Sequence, residues 1–399
     1  MSKSNETTPN VPTLRFKQFQ DNWSSKRLSD IAEVVGGGTP DTTDSTLWNG
    51  GIQWFTPTEV GHSKYVSMSA RTISQLGLQK SSAKILPAGS ILLSSRATVG
   101  ECSITQKDCT TNQGFQNLIP KKGINNEFLY YLAQTQKRHF IKYASGSTFL
   151  EISNSEIKKT KCAIPSIEEQ TEIATFLSSI DRKIEVQNKI ISDLKVLKKE
   201  LCNKLFNSSH CDKTIEIRQV ADIHGGYAFN SKAYINDGKY KIVTIGNVTG
   251  DKYISGDYNR IDILPDNIQE QQILNNGDIL ISLTGNVGRI SIVDGDNYLL
   301  NQRVAKLNVK NNLIKAYIYQ YLSNSSFEKD MSNAGQGAAQ KNIKNEDILS
   351  YNIRIPTNQT YLEKIDGLLS TYDKLIANEE RFLLNLNIQK SFLLNAMFI

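Results

Sequence analysis

The chain has 399 residues, room for two or three domains at ~150 residues each. A hydrophobic fraction of 39% with 22% charged residues is that of an ordinary globular protein and excludes a disordered or fibrous chain. A formal net charge of +6 and an isoelectric point near 8.8 favour an anionic partner without requiring one, and no apolar run approaches the ~18 residues of a membrane span.

Residues 1–20 open on "MSKSNETTPN", lack the apolar stretch of a signal peptide and read as a flexible N-terminal segment. From 21 to 165 short β-branched runs such as "SILLSS" are broken by Gly, Asn and Asp turns, with a helical pattern over 126–143. After Pro165 a helix can start cleanly, and no Gly or Pro occurs between Glu168 and Phe206, so 166–206 reads as one long helix. A linker, 207–213, leads into a second mixed region, 214–356, with strands such as "YKIVTIGNV" and a helical pattern over 313–331. Pro356 then precedes a second long helix, 357–399.

The order repeats because the sequence does. "ILLSSRATVG" (91–100) returns as "ILISLTGNVG" (279–288), with five of ten residues identical. "IAEVVGGG" answers "VADIHGG", "WFTPTEV" answers "IVTIGNV", Tyr65 falls on Tyr253, and "TNQGFQNLIP" answers "LNQRVAKLNV". "FLSSIDRKI" (176–184) matches "LLSTYDKLI" (368–376), and the offset drifts only from 188 to 192. The chain is a tandem duplication, the first thing to establish before a fold is assigned.

Both long helices carry a heptad seam. Ile173, Leu177, Ile180, Ile184, Gln187, Ile191, Leu194, Lys198, Leu201 and Leu205 alternate in steps of four and three. Adding 192 gives Ile365, Leu369, Tyr372, Ile376, Glu379, Leu383, Leu386, Lys390, Leu393 and Met397, so even the polar interruptions recur. Two copies of one unit tend to arrange about a pseudo-two-fold axis, which pairs these helices antiparallel with a globular region at either end. A seam of about 26 residues spans roughly 39 Å, close to the ~34–36 Å of one B-DNA turn. Full overlap of the seams sets Lys198 against Tyr372 and Glu379 against Ile191. A slide of one heptad pairs Lys198 with Glu379 and Gln187 with Lys390, leaving Ile173, Leu177, Ile365 and Leu369 beyond the pairing and free to pack on their heads. The slide is the register expected, since it buries no charge against apolar groups.

Catalytic patterns are missing. No phosphate-binding G-x-x-x-x-G-K-[ST] loop occurs, the glycines 36–38 lack a dinucleotide-binding context, and no Asn-Pro-Pro-Tyr of amino-methylating enzymes is found. The four histidines have no metal-ligand spacing, and five cysteines without a C-x-x-C pair read as reduced thiols in a cytoplasmic protein. No cofactor or metal is expected.

The turns of the repeat offer base-reading chemistry instead, since Arg pairs bidentately with guanine and Asn or Gln with adenine. Candidates are Thr39, Thr56, Arg96, Thr98, Asn112 and Gln113 in the first half, and Thr244, Asn247, Thr284, Asn286, Arg289, Asn301, Gln302 and Arg303 in the second. Lys64, Lys121, Lys122, Lys239, Lys241 and Lys306 flank them and can meet phosphates. Any one of these residues equally fits turn chemistry or a salt bridge. As a set, they share positions but differ in identity between the halves, as two heads reading different sequences require.

The order "GGGTP", "WFTPTEV", "ILLSSRATVG", "TNQGF", "IPSIEEQTEIATFLSSIDRKI", repeated with a long helix after each head, resembles the specificity (S) subunit of type I restriction–modification systems over residues 21–399. "IPSIEEQTEIATFLSSIDRKIE" is the most characteristic piece; "IPTNQTYLEKIDGLLSTYDKLI" lacks its "EEQ" and is assigned on the repeat. The resemblance implies an α+β protein of two similar mixed α/β target-recognition domains, separated by two long helices that form an antiparallel coiled coil. It implies two heads that each read half of a split double-stranded DNA site. It also implies helices that set the spacing and dock two modification subunits, with ATP-dependent restriction subunits joining later. Catalysis then belongs to the partners. Two alternatives are a two-headed coiled-coil scaffold that binds proteins and a fused methyltransferase or nuclease.

Overall fold

The computed structural model describes residues 11–146, 150–335 and 341–399, which form two compact units. The first joins the chain up to Asn188 with Phe382–Ile399; the second is Lys189–Arg381.

The first head is built on two sheets. A five-stranded sheet runs in the order Ala32–Gly36, Gln116–Pro120, Ile91–Leu93, Cys102–Thr105, Tyr65–Val66, and a three-stranded sheet in the order Arg71–Ile73, Trp48–Phe55, Cys109–Thr111. "ILL" at 91–93 is central and wholly buried, so it reads as a continuous apolar run where an edge strand alternates. The second head repeats the plan: Ala221–Gly225, Val304–Val309, Ile279–Ser282, Ile290–Ile292 in one sheet, and Asn259–Ile261, Tyr240–Val243, Tyr298–Leu300, Ile273–Leu274 in the other. Even the minor parallel pairing recurs, Tyr65 with Ile104 and Tyr253 with Ile292. A short antiparallel pair closes each head where it meets its long helix, Ser24–Arg27 with Lys161–Ile164 and Lys213–Glu216 with Asn352–Ile355.

The long helices run Ile167–Phe206 and Gln359–Met397. All twenty seam positions are buried or half-buried, and between 182 and 197 only Ile184, Gln187, Ile191 and Leu194 are withdrawn from solvent. That is the burial pattern of a narrow coiled-coil stripe. Within the second unit Lys195 pairs with Glu380 and Lys198 with Asp373, which makes the helices antiparallel there. Within the first unit Ile173 and Leu177 share a core with Leu393 and Met397, the same sense.

The register differs from the one-heptad slide. Lys198 Nζ lies 2.6 Å from Asp373, beside Tyr372, so it meets the full-overlap neighbour and not Glu379. Its counterpart Lys390 pairs with Asp181 at 2.7 Å. Ile173 and Leu177 pack in one core with Leu393 and Met397, and Ile365 and Leu369 in another with Leu201 and Leu205, so each meets seam residues of the other long helix as well as its head. The expectation weighed only seam positions. Asp181 and Asp373 stand one step off the seam, and a lysine's four-carbon stem carries the charge sideways to them.

Residues 11–20 are not a loose lead-in. Leu14 N–H and Thr13 Oγ1 both donate to the Ala396 carbonyl (2.9 and 3.1 Å), Arg15 pairs with the buried Glu169 at 2.7 Å, and Phe16 meets Phe176 edge-on. Residues 1–10 of the segment read as flexible lie outside the described residues.

Candidate nucleic-acid interface

Four turns meet at one edge of each head, tied by backbone hydrogen bonds that recur at the repeat offset. In the first head Gly38 N–H donates to Thr111 O (2.8 Å), Asn112 N–H to Phe55 O (3.0 Å) and Ser95 N–H to Gly114 O (2.8 Å). In the second, Tyr227 N–H donates to Leu300 O (2.8 Å), Asn301 N–H to Val243 O (3.2 Å) and Leu283 N–H to Arg303 O (3.0 Å). The approach is tight enough to demand glycine. A Cβ on Gly37 would lie 2.0 Å from Asn112 O, and one on Gly226 2.1 Å from Asn301 O.

The candidates divide on this frame. Arg96, Thr98 and Gln113 are exposed on the first edge, with Thr39 and Asn112 half-buried beside them. Thr39 Oγ1 donates to Gln113 Oε1, and Asn112 Oδ1 accepts from Gly114 N–H at 2.8 Å. Thr98 Oγ1 lies 3.0 Å from Ser94 Oγ, while Arg96 is held only loosely, its Nε 3.8 Å from Glu151 with both side chains about half exposed. On the second edge Asn286, Gln302 and Arg303 are exposed, and Thr284 and Asn301 are half-buried. The Thr284 hydroxyl has no hydrogen-bond partner among the described residues.

Four candidates hold the scaffold instead. Thr56 donates its N–H and hydroxyl to Glu59 Oε2 (2.8 and 2.6 Å), and Thr244 donates the same two groups to Asn247 Oδ1 (2.9 and 3.0 Å). Asn247 is 2% exposed and spends its amide on Ser255 O and Asp257 O. These are two copies of one capped turn, in which side chains replace missing backbone bonds. Arg289 is the counterpart of Glu101, not of Arg96. Glu101 pairs with Lys137 and Arg289 with Glu328 (3.1 Å), one salt bridge written twice with its signs exchanged.

The flanking lysines fare similarly. Lys64 and Lys306 are ion-paired and mostly buried, Lys64 with Glu127 and Lys306 with Asp278 (2.9 and 2.7 Å), so neither is free for phosphate. Lys121 Nζ donates to Ser29 O, and Lys241 lies over the Tyr298 ring. Lys122 and Lys239 stay exposed.

One feature of the first edge has no sequence signature. Arg71 lies 3.6 Å over the Trp48 ring, Trp48 meets Trp54 edge-on, and Trp54 Nε1 donates to Gly38 O at 2.8 Å. This aromatic block braces the glycine turn and presents an exposed guanidinium beside it. Its members become neighbours through strand pairing across a bulge at Trp48/Ile52, which residue spacing does not reveal.

No group of three His, Cys, Asp or Glu residues is placed to hold a metal among the described residues. All five cysteines are free and buried, and burial pushes the Cys102 thiol up to about 12. No helix among the described residues is long and apolar enough to cross a membrane. The edges offer hydrogen-bond donors and acceptors on a shallow, water-exposed surface.

Comparison with known proteins agrees across the chain. A family model described as the type I restriction modification DNA specificity domain matches twice, at residues 20–196 and 213–387. The type I restriction enzyme MjaIX specificity subunit of Methanocaldococcus jannaschii is 30% identical over 94% of this chain and 93% of its own length. The EcoR124I/EcoR124II specificity subunit of Escherichia coli is 27% identical over 42% of this chain and 43% of its own. The crystal structure of a type I restriction–modification S subunit from M. genitalium superposes with a TM-score of 0.55 at 16% identity, covering 98% of this chain and 99% of that one. That last likeness speaks to fold alone.

Proposed function

Because the chain belongs to the family of type I restriction–modification DNA specificity proteins, we propose that each four-turn edge reads one half of a split, asymmetric double-stranded DNA target. The observation that carries this reading is the edge itself, built twice by the same backbone bonds, with a shared Asn-Gln pair and side chains that differ around it, Arg96 against Thr284, Thr98 against Asn286 and Gly114 against Arg303. The readers are Thr39, Arg96, Thr98, Asn112 and Gln113 on one edge, and Thr284, Asn286, Asn301, Gln302 and Arg303 on the other. Arg71, Lys122 and Lys239 supply charge for phosphates.

The protein is the recognition part of a larger cytoplasmic assembly, and methyl transfer and cleavage belong to its partners. The long helices set the distance between half-sites and dock two modification subunits, to which ATP-dependent restriction subunits add. Exposed apolar side chains at Leu384, Ile388 and Phe392, one stripe four residues apart, give such a partner an apolar face.

Exchange of residues 214–356 for the corresponding head of a relative tests the reading, with methylation mapped on genomic DNA after assembly with modification subunits. One half of the recognised motif should change and the other should stay. Changes in both halves sink the two-head model. A protein-binding scaffold would show no salt-dependent DNA affinity in a gel shift. Insertion of four residues near Leu194 adds ~6 Å of helix, so the preferred spacer should grow by one or two base pairs at ~3.4 Å each. An unchanged spacer removes the helices from that role.

A further inference from the structure

The two lysines that interrupt the seam, Lys198 and Lys390, belong to nodes that tie each head to its helices. In the first unit Asp181, on the first long helix, accepts from Tyr131 Oη of the head at 2.5 Å and pairs with Lys390 of the second helix at 2.7 Å. Lys64 of the head donates to the same Tyr131 oxygen (3.1 Å) and to Ser178 Oγ on the first helix (2.6 Å). In the second unit the roles of the helices exchange. Asp373, on the second long helix, accepts from Gln320 Nε2 of the head at 2.6 Å and pairs with Lys198 of the first helix at 2.6 Å. Lys252 of that head lies 3.9 Å from Oδ2, the oxygen that Gln320 binds, while Lys198 meets Oδ1. The counterparts stand at the repeat offsets throughout: Asp181 and Asp373, Lys390 and Lys198, Lys64 and Lys252, Tyr131 and Gln320.

In both units three separate pieces of chain converge on one carboxylate. Gln320 is 3% exposed and Asp373 7%, so the second node sits almost entirely out of water. Burial holds the Tyr131 phenol far above its ordinary range and keeps it a donor. Apolar side chains of similar size would hold the same elements together at least as firmly, because a buried ion pair rarely repays its desolvation. A carboxylate shared between fixed donors adds direction: it is satisfied in one relative orientation of its partners and in few others.

We propose that the two nodes are positioning devices that fix the orientation of each head on its own helix segments. Asp181 and Asp373 are the positioning residues, acting on DNA reading through Tyr131 and Gln320. None of the four stands on a reading edge. The role rests on the heads being DNA readers, and it assigns the seam lysines Lys198 and Lys390 to how that reading is aimed.

The test uses the full chain assembled with its modification subunits and a library of random-sequence duplexes, from which methylated molecules are sequenced. The wild type should return two half-sites at one spacer length. Tyr131→Phe and Gln320→Leu remove the bond from Tyr131 or Gln320 to the carboxylate, the first also taking away the oxygen that Lys64 and Ser178 meet, and both leave the helix ion pairs in place. Each should return the same two half-sites while preference for the native spacer over one shifted by a base pair falls roughly tenfold, as small misplacements far from a site do. Asp373→Asn should lower it further, and Lys198→Arg, which keeps the pair, should retain it. If Asp373→Asn fails to fold, the two head-side variants decide. Unchanged spacer preference in Tyr131→Phe and Gln320→Leu overturns the proposal, as does relaxed base identity within the half-sites. A wild-type complex that returns no bipartite motif overturns the underlying reading, and the positioning role with it.

Discussion

The first and second heads share almost every bond that shapes the four-turn edge but only part of the side chains that line it, with Asn112 and Gln113 recurring as Asn301 and Gln302. Three backbone hydrogen bonds, one close-approach glycine and a capped turn in each head coincide at the repeat offset. On the same frame Arg96 stands where Thr284 stands, Thr98 where Asn286 stands, and Gly114 where Arg303 stands. A residue kept in both copies serves the turn first, as Asn112 and Asn301 do by accepting from the Gly114 and Arg303 N–H groups, and a residue that differs at a kept position is free to set the difference between the half-sites. The Glu101–Lys137 and Arg289–Glu328 bridges refine the rule, since identity there differs while the interaction is preserved.

The largest way to break the comparison is at the kept glycines. Gly226→Ala pushes a methyl group into Asn301 O and should cost about 3 kcal/mol, in line with overpacking of a tight site. Recognition of one half-site should be lost and the other retained; Gly37→Ala should do the reverse. Denaturant unfolding and methylation mapping read the two effects, and loss of both half-sites from either variant would show that the edges are not independent.

Next comes a contact the heads do not share. Arg15→Ala leaves Glu169, 2% exposed, without its guanidinium in the first unit, for a loss of about 3 kcal/mol. The second unit instead ties its head to the start of the second long helix through the exposed Asp212, which accepts from Thr357. Asp212→Asn should leave the unfolding midpoint unmoved. Equal effects would mean the N-terminal segment is no more than a surface tether.

The two arginines then sharpen the division between reading and holding. Arg96→Ala should lose ~1–3 kcal/mol on the cognate duplex and little on random DNA. Arg289→Ala should leave base preference intact. Competitive binding on cognate and scrambled duplexes separates them; an equal loss on both duplexes would make Arg96 a phosphate contact.

The smallest effect concerns backbone strain. Ala97 sits at φ 63°, and its counterpart Gly285 at φ 72°. The left-handed region costs a residue with a Cβ ~1–2 kcal/mol, so Ala97→Gly should raise the thermal midpoint and Gly285→Ala lower it. A fall in the midpoint of Ala97→Gly would show that methyl contacts outweigh the strain.

How much of this could be read from residues alone follows from the range of the interactions. The seam is a local period, so each of its twenty positions was visible, as were its polar interruptions. The register was not, because it turns on Asp181 and Asp373, which a seam-only count leaves out. Thr56, Thr244 and Asn247 fall among the candidates for a physical reason: a capping turn and a base-reading turn draw on the same short polar side chains beside glycine. Arg289 was grouped with Arg96 by residue type, although its place in the repeat is that of Glu101. The Arg71–Trp48–Trp54 block left no trace because strand pairing, not spacing, assembles it.

The backbone bonds that build each edge have a consequence for how such a protein changes over time. Since the turns hold their shape through N–H and carbonyl groups, the side chains facing outward can mutate with little penalty in folding. A new specificity can then arise without first passing through an unstable ancestor. With two such edges on one chain, the possible targets multiply: every variant of one head can be combined with every variant of the other, so a modest stock of heads encodes a much larger vocabulary of sites.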